Sequence, residues 1–421
     1  MGHVLGSPAA RCWPIVLAGL LGHPHIGAAQ ALSHRGFVEG TAYVFPLEAS
    51  NDPENVVGDL LAREEVSARP AKWLLLAAGL DLRANTNQQV EDSWEPDLDD
   101  RGRQRPRLSM RRLAATLTRG RFTLEAGRQF VRWGKTDIVV PTDRFAPRDF
   151  LTVVDAPYLA IAAVRGTVQF GRRTLEAVLA PHFTPSRIPL LDQRWTVIPS
   201  DLPPNVSIME RSVEFPTRSQ AGLRWGETRD RFEYSVSFFD GFNHVPNFGR
   251  AGPVTASGEL AISRSYPSLR SYGADAAIPF SWFTLKTEAA YFTSSSASTD
   301  EYVLYAIQIE RQTGEWLLIA GYAGEAVTED RVQLSFDPDR GLSKTFLGRA
   351  SYTIDPNRSL VLESAVRQNL DGVYLKAEYS LSLGQHWRAT AAGVLLAGEP
   401  DDFIGHYRRN SHLRLVLRYS F

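Results

Sequence analysis

The stretch HLRLVLRYSF, residues 412–421, decides how this chain is to be read. Leu413, Leu415, Leu417, Tyr419 and Phe421 occupy every second position, and His412, Arg414, Val416, Arg418 and Ser420 lie between them. Period-two alternation marks a β-strand with one apolar and one mostly polar face. Such a strand suits two settings. In a soluble sandwich the apolar face is the interior; in a transmembrane barrel it faces lipid and the polar face lines a wet lumen.

The rest of the chain narrows this choice. Lys and Arg number 46 against 47 Asp and Glu, a balance that does not point to nucleic acid. No apolar run approaches the ~18 residues of a membrane helix. A membrane barrel needs none, because its strands expose only alternate residues to lipid.

At the N-terminus Arg11 precedes the apolar run CWPIVLAGLLG (12–22), and small residues follow at Ala29 and Ala31. This is the order of a secretory signal, with cleavage expected after Ala31. The single Cys, Cys12, lies within it. The remaining chain, 32–421, has no disulfide or thiolate chemistry and reads as one barrel domain.

Hairpins recur along the chain. RFEYSVSF (231–238) sets Phe232, Tyr234, Val236 and Phe238 against Glu233, Ser235 and Ser237. GVYLKAEYSLS (372–382) sets Val373, Leu375, Ala377, Tyr379 and Leu381 against Tyr374, Lys376, Glu378 and Ser380. Short turns are expected at 69–72, 118–121, 171–172, 226–230, 279–281, 312–314, 355–357 and 384–385. Longer connections are expected at 46–56, 84–106, 133–155, 183–216, 241–267, 294–300, 324–342, 368–371 and 398–409. Short and long alternate, as periplasmic turns and extracellular loops do in an outer-membrane barrel. The expectation is an all-β transmembrane antiparallel barrel of about 18 strands, or about 16 if the segment 35–68 holds no strand pair. Trp73, Trp225, Trp282, Trp316 and Trp387 all fall near short turns, as an interfacial aromatic belt would place them.

A terminal Phe preceded by apolar residues at alternate positions resembles the C-terminal assembly signal of bacterial outer-membrane barrels. Leu413, Leu415, Leu417, Tyr419 and Phe421 match it, which implies the barrel-assembly machinery as a partner. The segment LEAGRQFVRWGKTDIVVPTDRFAPRDFL (124–151) resembles the G-R-Q, three residues, W-G segment of porin-like outer-membrane families. It is less closely similar to alginate-export-type and anion-selective porins. Gly127, Arg128, Gln129, Trp133 and Gly134 carry the likeness, and Lys135 departs from the acidic residue expected next.

Residues 133–155 form the third outer loop, the loop that folds inward and narrows the pore in trimeric general porins. Lys135, Asp137, Asp143, Arg144, Arg148 and Asp149 give it the mixed charge of a selective constriction, and Pro141 and Pro147 stiffen it. By parity, Arg349, Arg367, Lys376, Arg388, Arg414 and Arg418 line the lumen wall and lean it toward anions. The acidic loop EDSWEPDLDD (91–100) matches no calcium-loop spacing and reads as a solvated surface, bridged by cations to lipopolysaccharide.

The expected function is an outer-membrane channel for small hydrophilic, including anionic, solutes. Polysaccharide or other solute export, and an assembly or adhesion role, remain the alternatives. No histidine falls in a metalloprotease or hydrolase motif, so no enzyme, metal or cofactor is expected. Apolar lipid-facing strands are equally compatible with a homotrimer.

Overall fold

The computed structural model describes residues 32–49, 51–97, 99–196, 206–255, 258–331 and 334–421. The expected signal segment, 1–31, lies outside the described residues. Eighteen strands form one antiparallel sheet that closes on itself. In chain order they are Leu32–Val44, Val56–Ala71, Leu74–Asn85, Leu108–Arg119, Phe122–Gln129, Ile161–Phe170, Arg173–Ala180, Gln220–Thr228 and Glu233–Phe242. Then come Ser268–Pro279, Thr284–Thr293, Glu301–Thr313, Trp316–Glu329, Thr345–Asp355, Arg358–Arg367, Gly372–Leu383, Trp387–Gly398 and His412–Ser420.

The final strand closes the barrel against the first, in register from Phe37↔Ser420 to Val44↔Leu413. Beyond Ser420, the Phe421 amide donates to the Gly36 carbonyl (3.0 Å) and the Gly36 amide donates back (3.1 Å). Closure leaves no edge for aggregation, which an open sheet of this size would present.

Alternation sorts the faces as the sequence indicates. Leu413, Leu415, Leu417 and Phe421 are exposed on the outside, whereas Glu125, Asp275 and Glu288 are buried toward the inside. At the short-turn end Trp73, Trp282, Trp316 and Trp387 are exposed, and Trp225 packs edge-on against Tyr234 at 5.5 Å. Four of the short turns hold a glycine at positive φ: Gly120, Gly171, Gly314 and Gly384. Tight hairpin turns require this conformation, and glycine adopts it without steric cost.

Two features depart from the sequence reading. The strand Trp316–Glu329 continues through residues expected to begin a loop at 324. More substantially, the connections 183–216, 241–267 and 324–342 contribute a second, four-stranded sheet. In it Ser207–Glu214 runs parallel to Glu259–Ser265, which pairs with Asn247–Arg250, which in turn pairs with Leu334–Ser335. These strands are short and pair across different loops, so alternation within any one loop gives little sign of them.

Candidate channel constriction

The connection 130–160 leaves the strand Phe122–Gln129 and makes its contacts with other parts of the inner wall. The motif residues explain how it starts. Gly127 has φ +120°, and a Cβ there would lie 2.2 Å from the Leu113 carbonyl oxygen. Gln129 is fully buried and donates to the Ala163 carbonyl at 2.9 Å. The Arg128 guanidinium pairs with Asp100. Trp133 is buried, donates its backbone N–H to Asp143 at 3.0 Å, and directs its indole N–H to Glu176. Its ring meets Phe145 edge-on, and Phe145 meets Phe239 the same way, in a cluster with Val131, Ile161 and Val178.

Gly134 then brings the chain against one carboxylate. Its φ is +96°, and a Cβ would lie 2.4 Å from Val140 Cγ1 and 2.7 Å from both Glu288 oxygens. Glu288, on the strand Thr284–Thr293, accepts from the backbone N–H of Lys135 (2.9 Å), Thr136 (3.2 Å) and Thr142 (2.7 Å). The hydroxyls of Thr136 and Thr142 lie 2.9 and 2.8 Å from it. A buried carboxylate that accepts from several donors fixes the backbone that donates to it.

The other expected loop residues are also held. Lys135 pairs with Glu233 at 2.6 Å. Asp137 accepts from Lys286 at 3.1 Å and from the Gln308 side chain. Asp143 pairs with Arg132, while burial pushes its carboxyl up to about 6. Arg144 lies 3.5 Å from Asp339 and over the Phe292 ring. Arg148 donates to the Tyr158 hydroxyl at 2.7 Å. Asp149 accepts from Arg105 at 2.7 and 3.1 Å and from Arg187 at 3.3 Å. At the far end Asp155 pairs with Arg414 at 3.1 Å.

Asp149 brings the loop beside a cavity of about 410 Å³ that the sequence reading did not single out. Seven arginines line it, against three aspartates. Arg63, Arg83, Arg111 and Arg128 come from barrel strands, Arg105 and Arg187 from neighbouring loops, and Arg132 from the spacer within the motif. Asp81, Asp100 and Asp149 are the acids, and Phe130 and Tyr158 are the aromatics. Arg132 lies 3.5 Å from the Tyr158 ring centroid, and Arg111 lies 4.8 Å from that of Phe130. A second cavity of about 250 Å³ shares Arg63, Arg83, Arg105 and Pro157 with the first.

The C-terminal wall is more neutral than its basic count indicates. Arg349 lies 3.6 Å from Glu363, and Arg367 lies 2.7 Å from Asp402. Lys376 lies between Glu363 and Glu378, at 3.6 and 3.1 Å. Arg418 pairs with Glu39 at 2.5 Å, and Arg388 is exposed near the short-turn end. Glu363 and Glu378 share the inner face with their partners, and Asp402 and Glu39 come from a loop and from the first strand. Among the described residues, no group of His, Cys, Asp and Glu is arranged to hold a metal ion.

No protein-family profile and no curated protein matches the chain. Solved structures do. OccAB4 of Acinetobacter baumannii aligns with a TM-score of 0.54 at 8% identity, covering 95% of this chain and 100% of its own. OpdK of Pseudomonas aeruginosa, solved with vanillate, gives 0.53 at 10% identity, covering 93% and 98%. A BenF-like porin from Pseudomonas fluorescens Pf-5 gives 0.53 at 8%, with the same coverage. The chain has the porin fold. At these identities the likeness is one of backbone path, and every site residue described above rests on this chain's own contacts.

Proposed function

We propose that this barrel is an outer-membrane channel for small hydrophilic solutes with a preference for anions. The arginine-lined cavity carries the reading: it lies within a closed barrel whose outer surface is apolar, beside a loop anchored to several parts of the inner wall. In this reading the loop 133–155 folds into the lumen and forms the constriction. The short turns face the periplasm and the long loops face outward. The G-R-Q…W-G likeness supports the same class, because its residues are those that seat the loop.

The excess of guanidinium over carboxylate favours carboxylates and other small anions. Such fixed charges act strongly at a narrow passage and are screened beyond about 8 Å in the open. The aromatic faces of Phe130 and Tyr158 beside arginines suit a carboxylate with an apolar or aromatic body, a class that includes the vanillate held by OpdK. Planar-bilayer conductance with ion substitution tests the channel, and a purified, folded barrel that conducts no ions defeats it.

We also propose that Phe421, with Leu413, Leu415, Leu417 and Tyr419, serves as the assembly signal. Phe421→Ala should lower the yield of heat-modifiable barrel in the outer membrane; an unchanged yield rejects this role.

A further inference from the structure

The short-turn rim is not evenly charged. Aromatic residues surround it on all sides, including Phe280, Trp282, Trp316, Trp387 and Phe421, all exposed. Cations do not. Each of the first four short turns, joining strands from Val56–Ala71 to Glu233–Phe242, carries two cations in the turn or within a few residues of it. The remaining four turns carry at most one cation each: residues 280–283 contain no charged side chain, Arg311 is accompanied by Glu315, Arg358 is paired with Asp355 at 2.5 Å, and Arg388 stands beside the turn 384–386.

On the basic arc, cation and aromatic are set side by side. Lys72 precedes Trp73, which is 52% exposed. Arg121 lies 5.5 Å from the ring of Phe122, which is 53% exposed. Arg172 follows Phe170 in the next turn, and Arg229 lies 5.7 Å from the Phe232 ring. The acids on this arc are already engaged: Glu227 by Arg173 and Arg229 at 3.3 and 2.8 Å, and Asp230 by Arg172 at 2.8 Å.

An exposed aromatic at the membrane boundary sits at the headgroup level, and a cation one or two residues beyond it reaches the phosphate layer. Guanidinium groups match phosphate oxygens with paired N–H donors. We propose that this arc is a binding surface for anionic phospholipids of the leaflet at the short-turn end, gathering them along eight successive strands. The proposal rests on the barrel's being embedded in a membrane and is independent of conductance.

Native mass spectrometry of the barrel, equilibrated in nanodiscs with equal phosphatidylglycerol and phosphatidylcholine, tests it. The wild type should retain phosphatidylglycerol in about threefold excess. Lys72→Gln, Arg121→Gln, Arg172→Gln and Arg231→Gln combined should bring the excess close to unity, while Arg311→Gln with Arg358→Gln should leave it in place. Added inorganic phosphate should not displace the lipid, because the aromatic residues hold the region below the headgroup. Equal retention of both lipids by the wild type, an undiminished excess in the quadruple variant, or displacement by phosphate would each overturn the proposal. A barrel that shows the excess but carries no current contradicts the channel reading alone.

Discussion

Gly134 shows how a single residue determines the path of the loop 130–160. Its positive φ is costly for any residue with a Cβ, and a methyl group would press on Val140 and on the carboxylate that seats the loop. Gly134→Ala should therefore weaken docking by roughly 1–3 kcal/mol. Hydrogen exchange at residues 134–142 should then be faster than in the wild type. Gly166→Ala, where a Cβ would meet nothing within 4 Å, should change little. Equal protection in wild type and Gly134→Ala would show that the backbone relaxes without loss. The sequence displayed Gly127, Arg128, Gln129, Trp133 and Gly134 as a motif, but not its purpose. Glu288 could be read as inward-facing by parity; its contacts with Lys135, Thr136 and Thr142 span about 150 residues and leave no local pattern.

Among the elements, the loop 130–160 depends on other loops as well as on the wall. His244, in the connection 243–267, stacks on Phe183 at 5.3 Å. Its Nδ1 faces the Thr184 carbonyl at 2.7 Å, and its Nε2 faces the Arg144 carbonyl at 3.0 Å. A neutral ring can donate to only one of these carbonyls. Burial nevertheless holds the ring neutral, lowering its pKa to about 4, with the Arg144 charge acting in the same direction.

A depressed folded value means that the unfolded state binds more protons between about 4 and 6.5, so this contribution is complete above 6.5 and is lost on acidification. Asp143 and Asp337, in the same small cavity and raised to about 6 by burial, act in the opposite sense over an overlapping range. The His244 part is therefore read by difference. Between pH 7 and pH 4, protection of residues 140–148, corrected for intrinsic exchange, should fall in the wild type relative to His244→Gln by up to about 3 kcal/mol. Parallel pH trends in the two proteins would remove His244 from the account. The third-loop position of 130–160 was legible from alternating connection lengths. The clamp was not, because it joins three loops that are distant in sequence.

At the scale of the whole molecule, the barrel was legible because most spanning strands alternate with one period and every second connection is short. The arginine wall was not. In Val56–Ala71 the doublets Leu60-Leu61 and Glu64-Glu65 place like residues on both faces and obscure the inward direction of Arg63. Arg105, Arg132 and Arg187 reach the cavity from loops, where parity gives no guidance. The orientation is tested on a chain free of cysteine after residue 12. Glu95→Cys, in a long loop, should react with an impermeant maleimide on intact cells, and Asn357→Cys, in a short turn, should not. Labelling only at 357 would invert the barrel.

The claim that the arginine-lined cavity selects what passes is tested most directly by the zero-current potential of single channels in a salt gradient. Arg111 and Arg132 both line the cavity, with side chains 30% and 42% exposed, and Arg132→Gln leaves buried Asp143 its Trp133 backbone donor and an amide in place of the guanidinium. The wild type should be anion-selective, and Arg111→Gln/Arg132→Gln should shift clearly toward cations. A cation-selective wild type, or the same potential in wild type and double variant, would contradict that claim.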